Sequence, residues 1–198
     1  MIDRDHFYHI VRNGFFPKGI PTQSFEGLEK FLDFWQVADI IGYPPAGRDR
    51  RWLAYILATA YHETARTMQP IEEYGKGKAH SYGKPDPITG ETYYGRGYVQ
   101  LTWKYNYENM GKVFGIDLVN KPERALDADV AIKICFYGMS RGSFTGRKLS
   151  QYFNVTVQDW VNARKIINGM DKADLIASYA KIFFLALMPD SATKSITK

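Results

Sequence analysis

The sequence predicts a mainly α-helical protein with a small irregular or β-hairpin insertion around residues 75–97. Three observations lead there. Apolar residues recur at helical spacing over most of the chain, glycines and prolines crowd one central stretch, and 198 residues suit one globular unit, so residues 1–198 are expected to form a single domain. Twelve Phe, 14 Tyr and 4 Trp within a 45% hydrophobic composition supply enough apolar bulk for a core.

The elements follow in order. Phe25, Leu28, Phe31, Leu32 and Trp35 share one helical face, with Ser24 as the expected N-cap. Asp49 is placed to cap a helix over residues 50–66, whose stretch 52–61 is apolar almost all round and so reads as a helix in the centre of the protein. Gly75, Gly77, Gly83, Pro85, Pro87, Gly90, Gly95 and Gly97 then break the pattern. Pro85-Asp-Pro-Ile-Thr-Gly90 has turn chemistry, and residues 91–94 are expected as a short strand beyond it. Pro122 opens a helix running to about residue 139. Thr156 and Asp159 resemble a capping box for a helix over 156–167, and a last helix over 172–187 carries Leu175, Ile176, Tyr179, Ile182, Phe183 and Leu187 in a broad stripe.

Composition narrows the chemistry. Collagen-like, disordered and disulfide-framework classes are excluded, and the single Cys135 forbids an internal disulfide and every zinc site built from several cysteines. Cys135 lies in an apolar run and is expected to be a buried structural thiol. The N-terminal Met1-Ile-Asp-Arg-Asp-His6 is too charged to open a signal peptide, and the longest apolar stretch, 182–188, falls far short of a membrane span, so folding in a reducing cytoplasm without membrane insertion is expected. The charge of +5 fits an anionic partner, either nucleic acid or a bacterial cell wall. No nucleic-acid motif accompanies it, so nucleic acid is not expected as a partner.

The unusual feature is His62-Glu63 at the end of the apolar helix. Glu63 falls in line with Ile56, Thr59 and Ala60, where lost hydration would raise a carboxyl pKa and make it a proton donor. The alternative is a Glu at a fraying helix end that points to water. His62-Glu63 also begins the zinc-protease signature, but position 66 is Arg66 and no histidine pair has i, i+4 spacing, so no metal is expected. Glu72 and Glu73 follow. A buried acid with a second carboxylate nearby is what glycoside hydrolysis requires, although nine residues of chain can span ~30 Å and leave the separation open. The aromatic run Tyr93-Tyr-Gly-Arg-Gly-Tyr98 and Gln100-Leu-Thr-Trp-Lys-Tyr-Asn-Tyr107 adds flat rings with amides and hydroxyls suited to sugars, and some of these tyrosines are expected in the core.

His62-Glu63-Thr64, Tyr94-Gly-Arg-Gly-Tyr-Val-Gln-Leu-Thr-Trp-Lys-Tyr-Asn-Tyr107 and Arg164-Lys-Ile-Ile-Asn-Gly169 together resemble the motifs of glycoside hydrolase family 19, which contains chitinases and related phage and bacterial cell-wall lysins. The resemblance spans residues 55–179 and implies a lysozyme-like fold with a cleft that hydrolyses β-1,4 bonds beside N-acetylated sugars with inversion, without a cofactor. By motif, Glu63 matches the general acid, Glu72 the general base with Glu73 as fallback, and Thr102 the hydroxyl that holds the attacking water. Tyr94, Gln100, Tyr105, Asn106 and Asn168 match the sugar site, and His62 and Arg96 match supporting positions. Two departures stand out. The disulfides of the plant members cannot form here, which points to the compact bacterial and phage type. Leu175 occupies the place of an arginine that the family often carries in its last helix.

The leading expectation is a monomeric endolysin that cuts the glycan strands of peptidoglycan, held in the cytoplasm until released to the wall. A chitinase, acting on N-acetylglucosamine polymers, is the alternative with the same machinery. From another class comes a non-catalytic, basic wall-binding module using Arg48, Arg50, Arg51, Lys76, Lys78, Arg147 and Lys148, although ordinary solvated charges explain the same residues.

Overall fold

The computed structural model describes residues 2–38 and 49–189. It is mainly helical: α1 (Arg4–Phe15), α2 (Thr22–Ala38), α3 (Arg50–Glu63), α4 (Lys104–Phe114), α5 (Ala128–Arg141) and α6 (Ala173–Leu187), with 3-10 turns at Ser81–Gly83, Pro122–Leu126, Leu149–Gln151 and Asn162–Ile166. Two short antiparallel strands, β1 (Ile71–Glu72) and β2 (Arg96–Gly97), pair Ile71 with Gly97 and Glu72 with Arg96. Arg48 lies outside the described residues.

The centre of the molecule is α3. Asp49 caps it, its Oδ1 accepting from the Arg51 amide at 3.0 Å, and every residue from Trp52 to Tyr61 is buried. A helix apolar on all sides needs partners on all sides. The main partner is α6, which packs along α3 and also receives α1. The seam is aromatic: the Phe183 ring lies 4.7 Å from Phe15 and 6.1 Å from Tyr61, and Tyr61 meets Tyr179 edge-on at 5.1 Å. On another side, α2 presents Phe31 and Trp35 to Phe136 of α5, while Phe31 also meets Tyr98 at 4.7 Å. Cys135 is fully buried, its Sγ 3.9 Å from Met139 Sδ, and burial pushes its thiol pKa well up, as suits a structural thiol.

Several elements differ from the sequence expectation. Ser24 lies within α2 rather than capping it, buried with its hydroxyl on the Arg66 carbonyl, and Phe25 is exposed. The helix expected over 50–66 stops at Glu63, where Thr64 Oγ1 donates to the Ala60 carbonyl and accepts from the Met68 amide. The stretch expected over 122–139 divides into a 3-10 turn and α5. Only Asn162–Ile166 of the stretch 156–167 is helical, and Thr156 caps nothing: Asn154 Oδ1 instead accepts from the Thr156 and Val157 amides, holding that backbone in a turn. Residues 91–94 form no strand, and the β pair brackets the irregular segment instead. Helices α1 and α4 carried no expectation. Among the described residues no helix is long and apolar enough to cross a membrane.

Candidate active site

Glu63 is the last residue of α3, where the negative end of the helix dipole disfavours a carboxylate. The compensating charge comes from 101 positions away. Arg164, in the 3-10 turn Asn162–Ile166, donates from Nη1 to Glu63 Oε1 at 2.7 Å and from Nε to the Asp171 carbonyl at 3.0 Å. Side-chain exposure is 4% for Arg164 and 17% for Glu63, so the pair is nearly dry and each charge depends on the other. Glu63 therefore does not point to open water. Beside it His62 is half-buried, and that burial lowers its pKa, which keeps it neutral at pH 7. Leu175, at the place where the family often carries an arginine, is exposed on α6. Arg164 opened the third motif in the sequence, but nothing in the spacing paired it with Glu63.

The turn after Glu63 is tightly constrained. Ala65, Arg66 and Met68 adopt positive φ (49°, 72° and 57°), each costing on the order of 1–3 kcal/mol for a residue with a Cβ. Helix α2 holds this turn in place. Ser24 bonds the Arg66 carbonyl, and Gly27 approaches so closely that a Cβ there would lie 2.0 Å from the Met68 carbonyl oxygen.

The other two carboxylates have different surroundings. Glu72 in β1 accepts from Tyr94 Oη at 2.6 Å on one oxygen and from Lys76 Nζ at 3.0 Å on the other. The Tyr94 hydroxyl first, and the Lys76 ammonium second, hold the Glu72 pKa below its ordinary value. Tyr94 is itself fixed: the buried Arg96 guanidinium lies 3.7 Å over its ring, and Tyr107 Oη donates to its carbonyl. Arg96 thus supports the Glu72 side of the site. Glu73 is tied into the backbone, its oxygens accepting from Tyr82 Oη and the Gly95 amide, both at 3.0 Å.

A polar cavity of about 150 Å³ gathers four of the predicted residues, Gln100, Thr102, Tyr105 and Asn106, together with Trp103, Phe144 and Ile167. Gln100 Nε2 donates to the Ile71 carbonyl, which ties this wall to β1 beside Glu72, and Asn106 Nδ2 donates to the Thr102 carbonyl. Ile167, on another part of the lining, follows directly on the turn that carries Arg164. Phe144 reaches its place over Gly138 of α5, where a Cβ would lie 2.0 Å from the ring. Asn168 is not brought into this lining; it is exposed, its Oδ1 accepting from the Gly169 amide. Of the basic residues, Arg50 bonds the Leu187 carbonyl, Arg51 pairs with Asp49 at 2.6 Å, and Lys76 is bound to Glu72. These commitments account for three charges of the suggested wall-binding patch.

A mainly helical, lysozyme-like fold with a small polar cavity and two differently held carboxylates is the class that fold and site define. The family model of glycoside hydrolase family 19, chitinase class I, matches residues 49–168. The chain belongs to that family. An endochitinase of Arabidopsis thaliana is 33% identical over 128 residues, covering 61% of this chain and 44% of its own, so the match spans less than half the length of that relative. Chitinase C from Streptomyces griseus HUT6037 superposes with a TM-score of 0.63 at 22% identity, over 96% of this chain and 95% of that one. The class IV chitinase from Zea mays does so with a TM-score of 0.60 at 23% identity, over 92% of each chain.

Proposed function

We propose that the protein hydrolyses β-1,4 glycosidic bonds beside N-acetylated sugars by an inverting acid/base mechanism. The observation that carries this reading is a pair of carboxylates held in different ways: Glu63 is 17% exposed and paired with Arg164, and Glu72 accepts from Tyr94 Oη and Lys76 Nζ, which hold its pKa low. As general acid, Glu63 delivers a proton to the glycosidic oxygen as the bond to the anomeric carbon breaks. Glu72 takes a proton from water as that water attacks the anomeric carbon from the opposite face, and Thr102 holds the water. Arg164 stabilises the Glu63 carboxylate left behind, and solvent then returns a proton to Glu63 and removes one from Glu72. Gln100, Tyr105 and Asn106 bind the sugar hydroxyl and acetamido groups. Glu73 is the fallback base, its oxygens accepting from Tyr82 Oη and the Gly95 amide.

The polymer we assign is the glycan strand of peptidoglycan, on the strength of the +5 charge and the single cysteine, with the protein acting as an endolysin. Chitin is the second reading, favoured by relatives that are named chitinases. Digestion of purified peptidoglycan and of chitin, with mass analysis of the fragments and NMR of the first-formed anomer, decides polymer, bond and stereochemistry together. Glu63→Gln and Glu72→Gln should each lower kcat by roughly 10²–10⁴-fold. Clearing by Glu63→Gln at the wild-type rate removes the acid assignment. Activity that survives Glu72→Gln but not Glu73→Gln moves the base by one residue.

A further inference from the structure

Trp103 has no part in the acid/base step, yet its setting is unusual. Its φ is +70°, and Gln100, three residues earlier, has φ +53°; both residues line the same cavity. A residue with a Cβ holds such a backbone only where its surroundings impose it, and such outliers concentrate at ligand sites. Here the surroundings are explicit: the Trp103 amide donates to the Tyr93 carbonyl at 2.9 Å, and its own carbonyl accepts from the amides of Asn106 and Tyr107 at the start of α4. Trp103 precedes α4 without capping it by its side chain. With this backbone Trp103 lines the cavity and remains 42% exposed.

The indole is also braced from one side. Tyr82 meets it edge-on, with centroids 5.2 Å apart and planes at 76°. The Tyr82 ring in turn stacks on His80 at 4.9 Å and 14°, and its hydroxyl donates to Glu73, whose second oxygen is fixed by the Gly95 amide. This chain gives the engaged Glu73 a purpose. A flat, partly open ring beside Gln100 and Asn106 suits a β-linked pyranose, whose C–H face stacks on an aromatic surface while its polar edge meets the amides.

We propose that Trp103 is a stacking platform for one sugar ring of the substrate strand, and that Glu73 and Tyr82 are positioning residues that hold it. The proposal rests on the glycosidase reading above. Its test uses the full chain carrying Glu63→Gln, titrated with chitotetraose and with soluble uncrosslinked peptidoglycan strands, while the indole N–H resonances are followed by NMR. The Trp103 signal is assigned by its loss in Trp103→Phe. That signal should move with occupancy. In the hydrolytically competent protein Trp103→Ala should raise KM roughly tenfold and lower kcat less, a loss of about 1.4 kcal/mol in binding. Trp103→Phe should recover part of it. Tyr82→Phe keeps the ring and deletes only the bond to Glu73, and should raise KM by a smaller factor at an unchanged melting temperature. A stationary Trp103 resonance at saturation, or an unaltered KM in Trp103→Ala, overturns the platform while leaving the glycosidase intact. Absence of both hydrolysis by wild type and binding by Glu63→Gln overturns both readings.

Discussion

Glu72 shows how a single residue is prepared for its task. Both oxygens are occupied by donors, and the stronger influence is the Tyr94 hydroxyl at 2.6 Å. A general base works only when ionised, so activity on the acid side should rise through the pKa of Glu72. Removing the Tyr94 hydroxyl raises that pKa, and the acid limb of kcat/KM against pH should move to higher pH in Tyr94→Phe. The substitution is conservative, because the ring that Arg96 covers at 3.7 Å remains. Lys76→Met should shift the limb in the same direction by less. An unmoved acid limb in Tyr94→Phe would mean that another group sets it. The same depression contributes stability above the ordinary Glu value of 4.5, lost as pH falls through the lower folded-state pKa. The identities of Glu63, Glu72, Gln100 and Thr102 as candidates were legible in the motifs. Their partners were not: Arg164 reaches Glu63 across 101 positions, and no local periodicity encodes such a pairing.

At the scale of elements, legibility followed burial. Helix α3, with ten consecutive buried residues from Trp52 to Tyr61, and α6, with its broad apolar stripe, announce themselves. Helix α1 buries only Phe7 and Val11, too thin a stripe to register, and α4 was obscured by the aromatic run that also serves the cleft. The failed helix over 156–167 was lost to Asn154, whose side chain competes for the backbone amides a helix would use. The contact between α2 and the turn after Glu63 offers a direct test. A Cβ at Gly27 would meet the Met68 carbonyl oxygen at 2.0 Å, backbone that cannot swing aside. Gly27→Ala should cost about 1–3 kcal/mol and lower Tm by about 2–12 °C for a chain of this size. It should also reduce kcat/KM well below the melting range, because the displaced turn follows directly on Glu63. Substitution of the exposed Phe25 on the same helix should do much less to activity, and equal losses from both would show that α2 acts only through general stability.

At the scale of the whole molecule, helices from opposite ends of the sequence enclose the one that ends in the candidate acid. The helical class was legible from periodicity, whereas the seating of α1 on α6 was not, because spacing within a segment says nothing of a partner some 170 positions away. Phe183 is where the arrangement converges. It is fully buried and touches Phe7 and Phe15 of α1 and Tyr61 of α3, two residues before Glu63. Truncating such a ring removes its burial and leaves a cavity that the surrounding aromatics fill only in part. Phe183→Ala should therefore cost about 3–5 kcal/mol, a fall in Tm of about 6–20 °C. Glu63 is held by Arg164 and the Thr64 turn rather than by this seam, so turnover per folded molecule at low temperature should change little. Thermal melting and kcat at a temperature below both transitions separate the two effects. A Tm that does not move would contradict the aromatic seam as the main joint of the fold, and a matched collapse of low-temperature kcat would show that the seam also sets the geometry of the acid.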